Sequence, residues 1–592
     1  MKYKKLLIIL TFAGITFFAC SKSYLNVPAL GSLNESDLNN YKGVQALLIA
    51  TYSLLDGVGS QPNIGTSGTS NHYYGSICGS EAYKGSTKFD QSDITSLEIF
   101  TTTANNGYLP GKWQAVYEGV QDANTVLRAI KKAADMTPEQ TAEFRAEALF
   151  LRAFYHFEAK KMWNKIPFID ESVSFEAGNY HVVNDTIWSP IENDLDTAII
   201  YLPKTQSNIG RVNYYAAEAL LAKIYLYEHK YQFARPLLQE LISSGNTSSG
   251  QPYALDINYG DNFNPATKNS AESVFAYQSS VNDGSAGLNG NAGDILDFPT
   301  GTNSPGGCCG FFRPSQYLVN HFKTDSSTGL PDLDNFNDSD VTSDEVIHSA
   351  DPFTPYSGTL DPRLDWTVGR RGIPFLDWGI EPGEDWVSRD PAVFGPYVAK
   401  KHMYYKSQLG VLTDNNFWTT GATANNINLI RFADILLWAA EVETLLPNGD
   451  LEKARGYLNQ IRARAMNPDG WVHTYVDDND PGKGFTNIPA ANYKIGLYTN
   501  SWTDPVYALK AIQYERMLEL GLEGHRFFDL VRWGIARESI EKYWQKESIK
   551  RTYLSQGHFT ANKNEYFPIP QRQIDLSKGA DGITQMTQNP GY

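Results

Sequence analysis

At 592 residues the chain is long enough for several ordinary domains or for one large helical assembly with a long insertion. A formal net charge of −16 and a pI near 5.2 exclude a nucleic-acid partner, since phosphate binding needs a basic patch and none is visible. With 4 cysteines and no Cys/His spacing of the zinc type, neither a metal nor a cofactor is expected.

Lys2, Lys4 and Lys5 precede an apolar run over residues 6–19, too short to span a bilayer and suited to a secretory signal. No later segment is apolar enough to cross a membrane. Cys20 follows Phe17-Phe18-Ala19, the pattern of a lipoprotein processing site whose cysteine becomes the acylated N-terminus; ordinary cleavage and an uncleaved anchor are the alternatives. Cys78, Cys308 and Cys309 then allow one internal disulfide at most. The neighbouring pair is favoured over a link to Cys78, because Gly306, Gly307 and Gly310 free the local backbone, although adjacent cysteines bond with strain.

The mature chain opens extended over residues 24–28, and a helical pattern follows over 41–55. Residues 56–111 form a polar, aromatic, glycine-rich loop with no strong period, containing Tyr73, Tyr74, Glu81, Tyr83 and Lys84. Trp113, Tyr117, Val120, Leu127 and Ala134 set a helical stripe on which Asn124 reads as a satisfied structural amide. Thr137-Pro138 caps a second helix running to Trp163, apolar around most of its circumference, whose Arg145, Glu147, Arg152 and Glu158 read as internal pairs. Ser189-Pro190 starts another helix, and Asn213 starts a hairpin through residue 242. A second hairpin spans 429–465, turning at 447–450. In the first, small Ala217, Ala219 and Ala222 alternate with bulky Leu221, Tyr225 and Tyr231, as in tetratricopeptide-type packing, and the second is of the same kind.

Between the hairpins, residues 243–426 are rich in Gly, Asn, Asp, Ser and Pro, yet carry Phe298, Phe311, Phe312, Trp366, Trp378, Trp386 and Trp418. So many aromatics argue against a disordered linker and for an insertion folded on the helical layer. The acidic run 332–345 reads as a solvated loop or a calcium site, and it lacks the glycine and final glutamate of an EF-hand.

The densest stretch is 504–534. Asp504 suits an N-cap and Pro505 the first helical position, while Gly521 and Gly524 offer a left-handed turn before a second helix. Glu515, Glu519 and Glu523 fall on one line at i, i+4, i+8, with Arg516, Arg526, Asp529 and Arg532 as expected partners. A buried ion-pair network explains them better than a pair of catalytic acids. Such a pair needs two carboxyls roughly 5 to 9 Å apart across a cleft, and neighbouring arginines would lower the pKa that a general acid needs raised.

Glu515, Arg516, Glu519, Leu520, Glu523, Gly524, Arg526, Asp529, Leu530, Arg532, Trp533 and Gly534 resemble, in order and spacing, the C-terminal signature of the SusD/RagB family. Residues 306–319, 361–374 and 395–405, the extended opening, the helix ending near Ile166-Pro167, and the ending YFPIPQRQID with QNPGY are also similar to family segments, so the likeness runs nearly end to end. The resemblance implies a mainly α fold with minor β: tetratricopeptide-like hairpins in a superhelical layer, with a large loop-rich insertion. It implies a signal peptide at 1–19 and one domain over 20–592, with helical repeats at about 41–55, 113–242 and 427–534 and a ligand-facing insertion at about 243–426. It further implies a lipoprotein anchored at the outer membrane through Cys20, exposed at the cell surface, which binds a glycan without cleaving it and delivers it to a SusC-like TonB-dependent transporter. A peptide-binding relative and an anchored glycan-degrading enzyme are the alternatives. The family carries no fixed binding motif. Tyr73, Tyr74, Tyr83, Asn289, Trp378 and Trp386 are therefore chosen as ligand-binding candidates by residue type and loop location, against the alternative of core packing, while Trp366 reads as structural.

Overall fold

A computed structural model describes residues 35–59, 64–173, 183–185, 188–387 and 389–592. The expected signal peptide, Cys20 and the extended opening lie outside the described residues.

The helical layer begins with α1 (Tyr41–Ser53), α2 (Tyr108–Ile130) and α3 (Pro138–Trp163). α3 starts where its capping box dictates: the Thr137 side chain accepts from the Gln140 N–H, and Gln140 reaches back to the Thr137 N–H. From Phe144 to Trp163 nearly every side chain of α3 is buried, so it forms the hub of the layer. Asn124 on α2 donates to the Ile169 carbonyl and accepts from Arg152, as a satisfied structural amide should.

The succession continues with α4 (Ser189–Tyr201), α5 (Tyr214–Tyr227), α6 (Tyr231–Ser244), α7 (Phe432–Leu445), α8 (Leu451–Ala465) and α9 (Pro505–Leu520), each helix packed on the one before it. α6 and α7 touch directly although the long insertion separates them in sequence. The insertion leaves and returns through one ladder: residues Ser273–Tyr277 pair antiparallel with Ile427–Arg431, with Tyr277 opposite Ile427. The expected start of the second hairpin, residues 429–431, is thus a strand, because these residues complete that ladder before the chain turns helical at Phe432. Four two-stranded ladders and a few isolated bridges make up the β content of the described residues.

α9 is capped by the Asp504 carboxylate, which accepts the Val506 N–H. Its first turn is exposed at Val506 and Tyr507, and from Ala511 onward it is mostly buried. The elbow to α10 (Arg526–Arg532) takes its left-handed residues at Leu522 (φ 66°) and Gly524 (φ 76°), whereas Gly521 is extended (φ −51°, ψ 132°). Early-loop residues dock on this elbow: the Ser76 hydroxyl accepts the Gly524 N–H at 3.0 Å and Glu81 accepts the Leu522 N–H at 3.1 Å. A Cβ at Gly75 would overlap the Gly524 carbonyl, so glycine is required there for the two backbones to meet.

The three glutamates are fully paired, with partners other than those the sequence suggests. Arg363 from the insertion bonds Glu515 at 2.7 Å and Glu519 at 2.9 Å, and Arg462 bonds Glu515 at 2.8 Å. Arg431 bridges Glu519 (2.6 Å), Glu523 (2.9 Å) and Glu272 (2.7 Å), Arg464 adds to Glu519, and Lys401 from the insertion bonds Glu523 at 2.7 Å. Arg516 and Arg532 leave α9 and α10 on the other side, toward Asp434, Asp529 and Glu441. Burial alone would raise the Glu519 and Glu523 carboxyls. The guanidiniums win: Arg464, Arg431 and Arg363 hold Glu519 well below its ordinary range, and Arg431 with Lys401 brings Glu523 to about 2.

Candidate functional site

Most of the aromatic candidates serve the core. Tyr74 is buried, donates to the Thr66 carbonyl and packs edge-on against Phe567; Tyr73 is buried with its ring edge-on to Tyr108. Tyr83 has no exposed surface, gives its hydroxyl to Glu547 at 2.5 Å and lies beneath the Arg551 guanidinium. Trp386 is buried against Phe375 in a small second core. A stacking platform needs a ring face open to solvent, and these four have none to give. Loop location misled because residues 64–86 dock under the insertion and against the elbow instead of lying on the surface.

Asn289 and Trp378 are placed differently. Asn289 is exposed on a loop whose Asn282 donates to the carbonyls of Gly410, Val411 and Thr413, each at 3.3 Å, so that two insertion segments are tied side by side. Trp378 is half-buried; its indole N–H donates to the Tyr404 carbonyl at 2.8 Å and the Lys406 ammonium lies 6.0 Å from its ring. One exposed side chain was not selected by sequence reasoning. Of the 12 tryptophans, Trp418 alone is exposed, at 61 %, with Phe417 tilted against it at 6.0 Å. Phe417 itself lies over Gly287 of the Asn289 loop. The signal was local: Asn415, Asn416, Thr419, Thr420 and Gly421 surround the pair, so no apolar period exists to draw Trp418 inward. Thr419 and Thr420 both donate to the Gly306 carbonyl, which fixes the segment next to Cys308 and Cys309. Those two cysteines form a disulfide and Cys78 is a buried free thiol.

Beside the Asn289 loop a groove of about 400 Å³ opens, lined by Gln45, Ile49, Asn208, Ile209, Gln278 and Asn289 among others. Ile49 and Ile209 are exposed apolar side chains and the other four are amides, a mixture suited to a ligand with both C–H faces and hydroxyls. Its floor is stiff. The Tyr52 hydroxyl donates to Glu147 at 2.6 Å and Arg211 bonds the same carboxylate at 2.9 Å; burial still brings Glu147 up to about 7.

The acidic run meets cations of the C-terminal region. Asp334 pairs with Lys510, Asp340 with Lys546 at 2.9 Å, and Glu345 with Arg551 at 2.5 Å. Among the described residues, one cluster of His and carboxylate side chains is arranged to hold a metal, namely His72, Asp294 and His402.

Known proteins give the context for this arrangement. The profile described as the SusD family matches residues 271–592, and the one described as starch-binding, associating with the outer membrane, matches residues 33–226. A SusD-like protein of Formosa agariphila is 25 % identical over 483 residues, covering 78 % of this chain and 76 % of its own length. Among solved structures, a laminarin-binding SusD-like protein superposes with a TM-score of 0.64 at 23 % identity, covering 93 % of this chain and 100 % of that one. Surface glycan-binding protein A from Bacteroides thetaiotaomicron, solved with laminarihexaose, superposes with a TM-score of 0.63 at 21 % identity over 93 % of this chain and 99 % of that one.

Proposed function

The chain belongs to the SusD family, and from that footing we propose that it is a glycan-binding lipoprotein of the outer membrane, anchored through Cys20 after removal of residues 1–19, with residues 20–592 acting as one domain. It captures an oligo- or polysaccharide on its loop layer and passes it, uncleaved, to a SusC-like TonB-dependent transporter. The observation that carries the reading is the exposed Trp418, braced by Phe417, whose ring lies over Gly287 of the loop that also brings Asn289 to an amide-lined groove. A sugar ring stacks its C–H face on indole while side-chain amides take its hydroxyls. Two further facts support it. Relatives of the same fold are described as binding laminarin or surface glycans. The conspicuous carboxylates of the elbow are clamped by arginines, which suits a scaffold and not a general acid.

Calorimetry against laminarin, starch and a panel of other polysaccharides tests the proposal. Trp418→Ala should weaken the best ligand by about 10-fold, equivalent to ~1.4 kcal/mol, with the melting transition unchanged. A panel with no binding, or unaltered affinity in the variant, rejects the site. Release of reducing ends from the bound glycan by the purified chain would reject the non-catalytic reading.

A further inference from the structure

Three segments far apart in sequence meet where the early loop docks on the insertion: His72 in the early loop and, in the insertion, Asp294 with Asp297, and His402. The Nε2 atoms of His72 and His402 lie 3.1 Å apart, and the Nδ1 of His72 is 2.5 Å from an Asp297 oxygen. Asp294 has no exposed surface; its Oδ1 accepts from the Ser70 hydroxyl, while its Oδ2 accepts no hydrogen bond and lies 3.6 Å from His402 Nδ1. One ligand atom from each of His72, Asp294 and His402 falls within 4.8 Å of the other two.

Proton counting shows what is missing. The contact with Asp297 places a proton on His72 Nδ1, so in a neutral ring Nε2 is a bare lone pair. If His402 carries its proton on Nδ1, two lone pairs face each other at 3.1 Å. If it carries it on Nε2, the bare Nδ1 faces the unsatisfied Asp294 oxygen. Neither tautomer satisfies the cluster, so it needs a cation. One extra proton on the histidine pair is the rival to a metal: it would fill the gap between the two Nε2 atoms, and with Arg313, a buried cation beside Asp297, it would match the two carboxylates in charge. A metal dication fills the same gap between the bare nitrogens, and only metal uptake separates the two.

We infer that His72, His402 and Asp294 form a site for one divalent transition metal of the zinc class, with Asp297 as the outer carboxylate that orients His72. Two imidazole nitrogens about 2.05 Å from a tetrahedral Zn²⁺ stand about 3.3 Å apart, close to the spacing found here. A carboxylate holding the far nitrogen of a metal-ligating histidine is the usual support of such a site. His402, with 12 % of its side chain exposed, is the solvent-facing ligand and leaves a fourth position to water. The metal would clip the early loop to the insertion, a structural role independent of glycan binding. The sequence could not show it, because each ligand comes from a different segment.

The test uses the full mature chain without a histidine tag, stripped with chelator and then titrated with Zn²⁺ by calorimetry and with Co²⁺ by visible absorption. The expected result is one metal per chain, a raised melting temperature, and the strong absorption of four-coordinate Co²⁺. His402→Gln should abolish stoichiometric binding, Asp297→Asn should weaken it about 10- to 100-fold, and His348→Gln, on an exposed histidine, should leave it intact. Failure of the wild-type chain to take up one equivalent at micromolar metal overturns the site, as does equal binding by His402→Gln. The wild-type Co²⁺ spectrum decides even if a variant does not fold: six-coordinate weak absorption overturns the assignment.

Discussion

The elbow of the helical layer and the early loop that docks on it both bury carboxylates, and they do so in opposite ways. Glu519, Glu523 and Asp529 are surrounded by guanidinium and ammonium groups and are held below their ordinary range. Glu81 and Glu98 are as deeply buried, but their closest donors are hydroxyls and backbone N–H groups: Ser76 and the Leu522 N–H at Glu81, Tyr553 and the Lys84 N–H at Glu98. Burial therefore prevails, bringing Glu81 up to about 7 and Glu98 to about 8. The comparison teaches a division of labour. Charge in the elbow is fixed across the physiological range and makes the scaffold rigid, whereas charge under the loop layer is titratable near neutrality.

Breaking the elbow should cause the largest loss of stability. Arg431→Ala leaves Glu272, Glu519 and Glu523 short of a shared partner, and urea unfolding should show a loss of roughly 3–5 kcal/mol. The pH dependence sharpens the contrast, because the two regions slope in opposite directions. Glu523, depressed to about 2, contributes stability that is complete above its unfolded pKa near 4.5 and is lost as pH falls toward 2. Glu98, raised to about 8, remains protonated in the fold while the unfolded chain ionises, so its contribution is complete below 4.5 and is lost as pH rises to 8. Glu98→Gln should accordingly flatten the stability profile between pH 4.5 and 8 by about 5 kcal/mol and leave the profile below pH 4.5 unchanged. Smaller still, Asn289→Ala at the rim should reduce glycan affinity about threefold with no change in unfolding, the value of one exposed hydrogen bond.

The scaffold was legible and the binding surface was not, for a physical reason. Helix periods, the Thr137-Pro138 and Asp504-Pro505 caps and the glutamate ladder are local signals, and the helices stand where those signals put them. Partner choice is not local. Glu515 and Glu519 take Arg363, which lies on the insertion far away in sequence, so spacing alone pointed to the nearer Arg516 and Arg532. The same limit governed the site. Tyr73, Tyr74 and Tyr83 sit in a loop by composition, yet that loop is packed against α10 and the insertion, and only the docked arrangement distinguishes a covered ring from one that is open, as at Trp418.

The direct contact of α6 with α7 beneath the paired strands makes the insertion resemble a cartridge seated on a continuous rail. Arg363 and Lys401 are its two keys, because both reach down to the glutamates of α9 and the elbow. A chimera that receives the corresponding segment of another relative will seat only if the donor brings an arginine and a lysine to those places. Ligand preference is then free to be exchanged in one piece, while the rail below retains its shape.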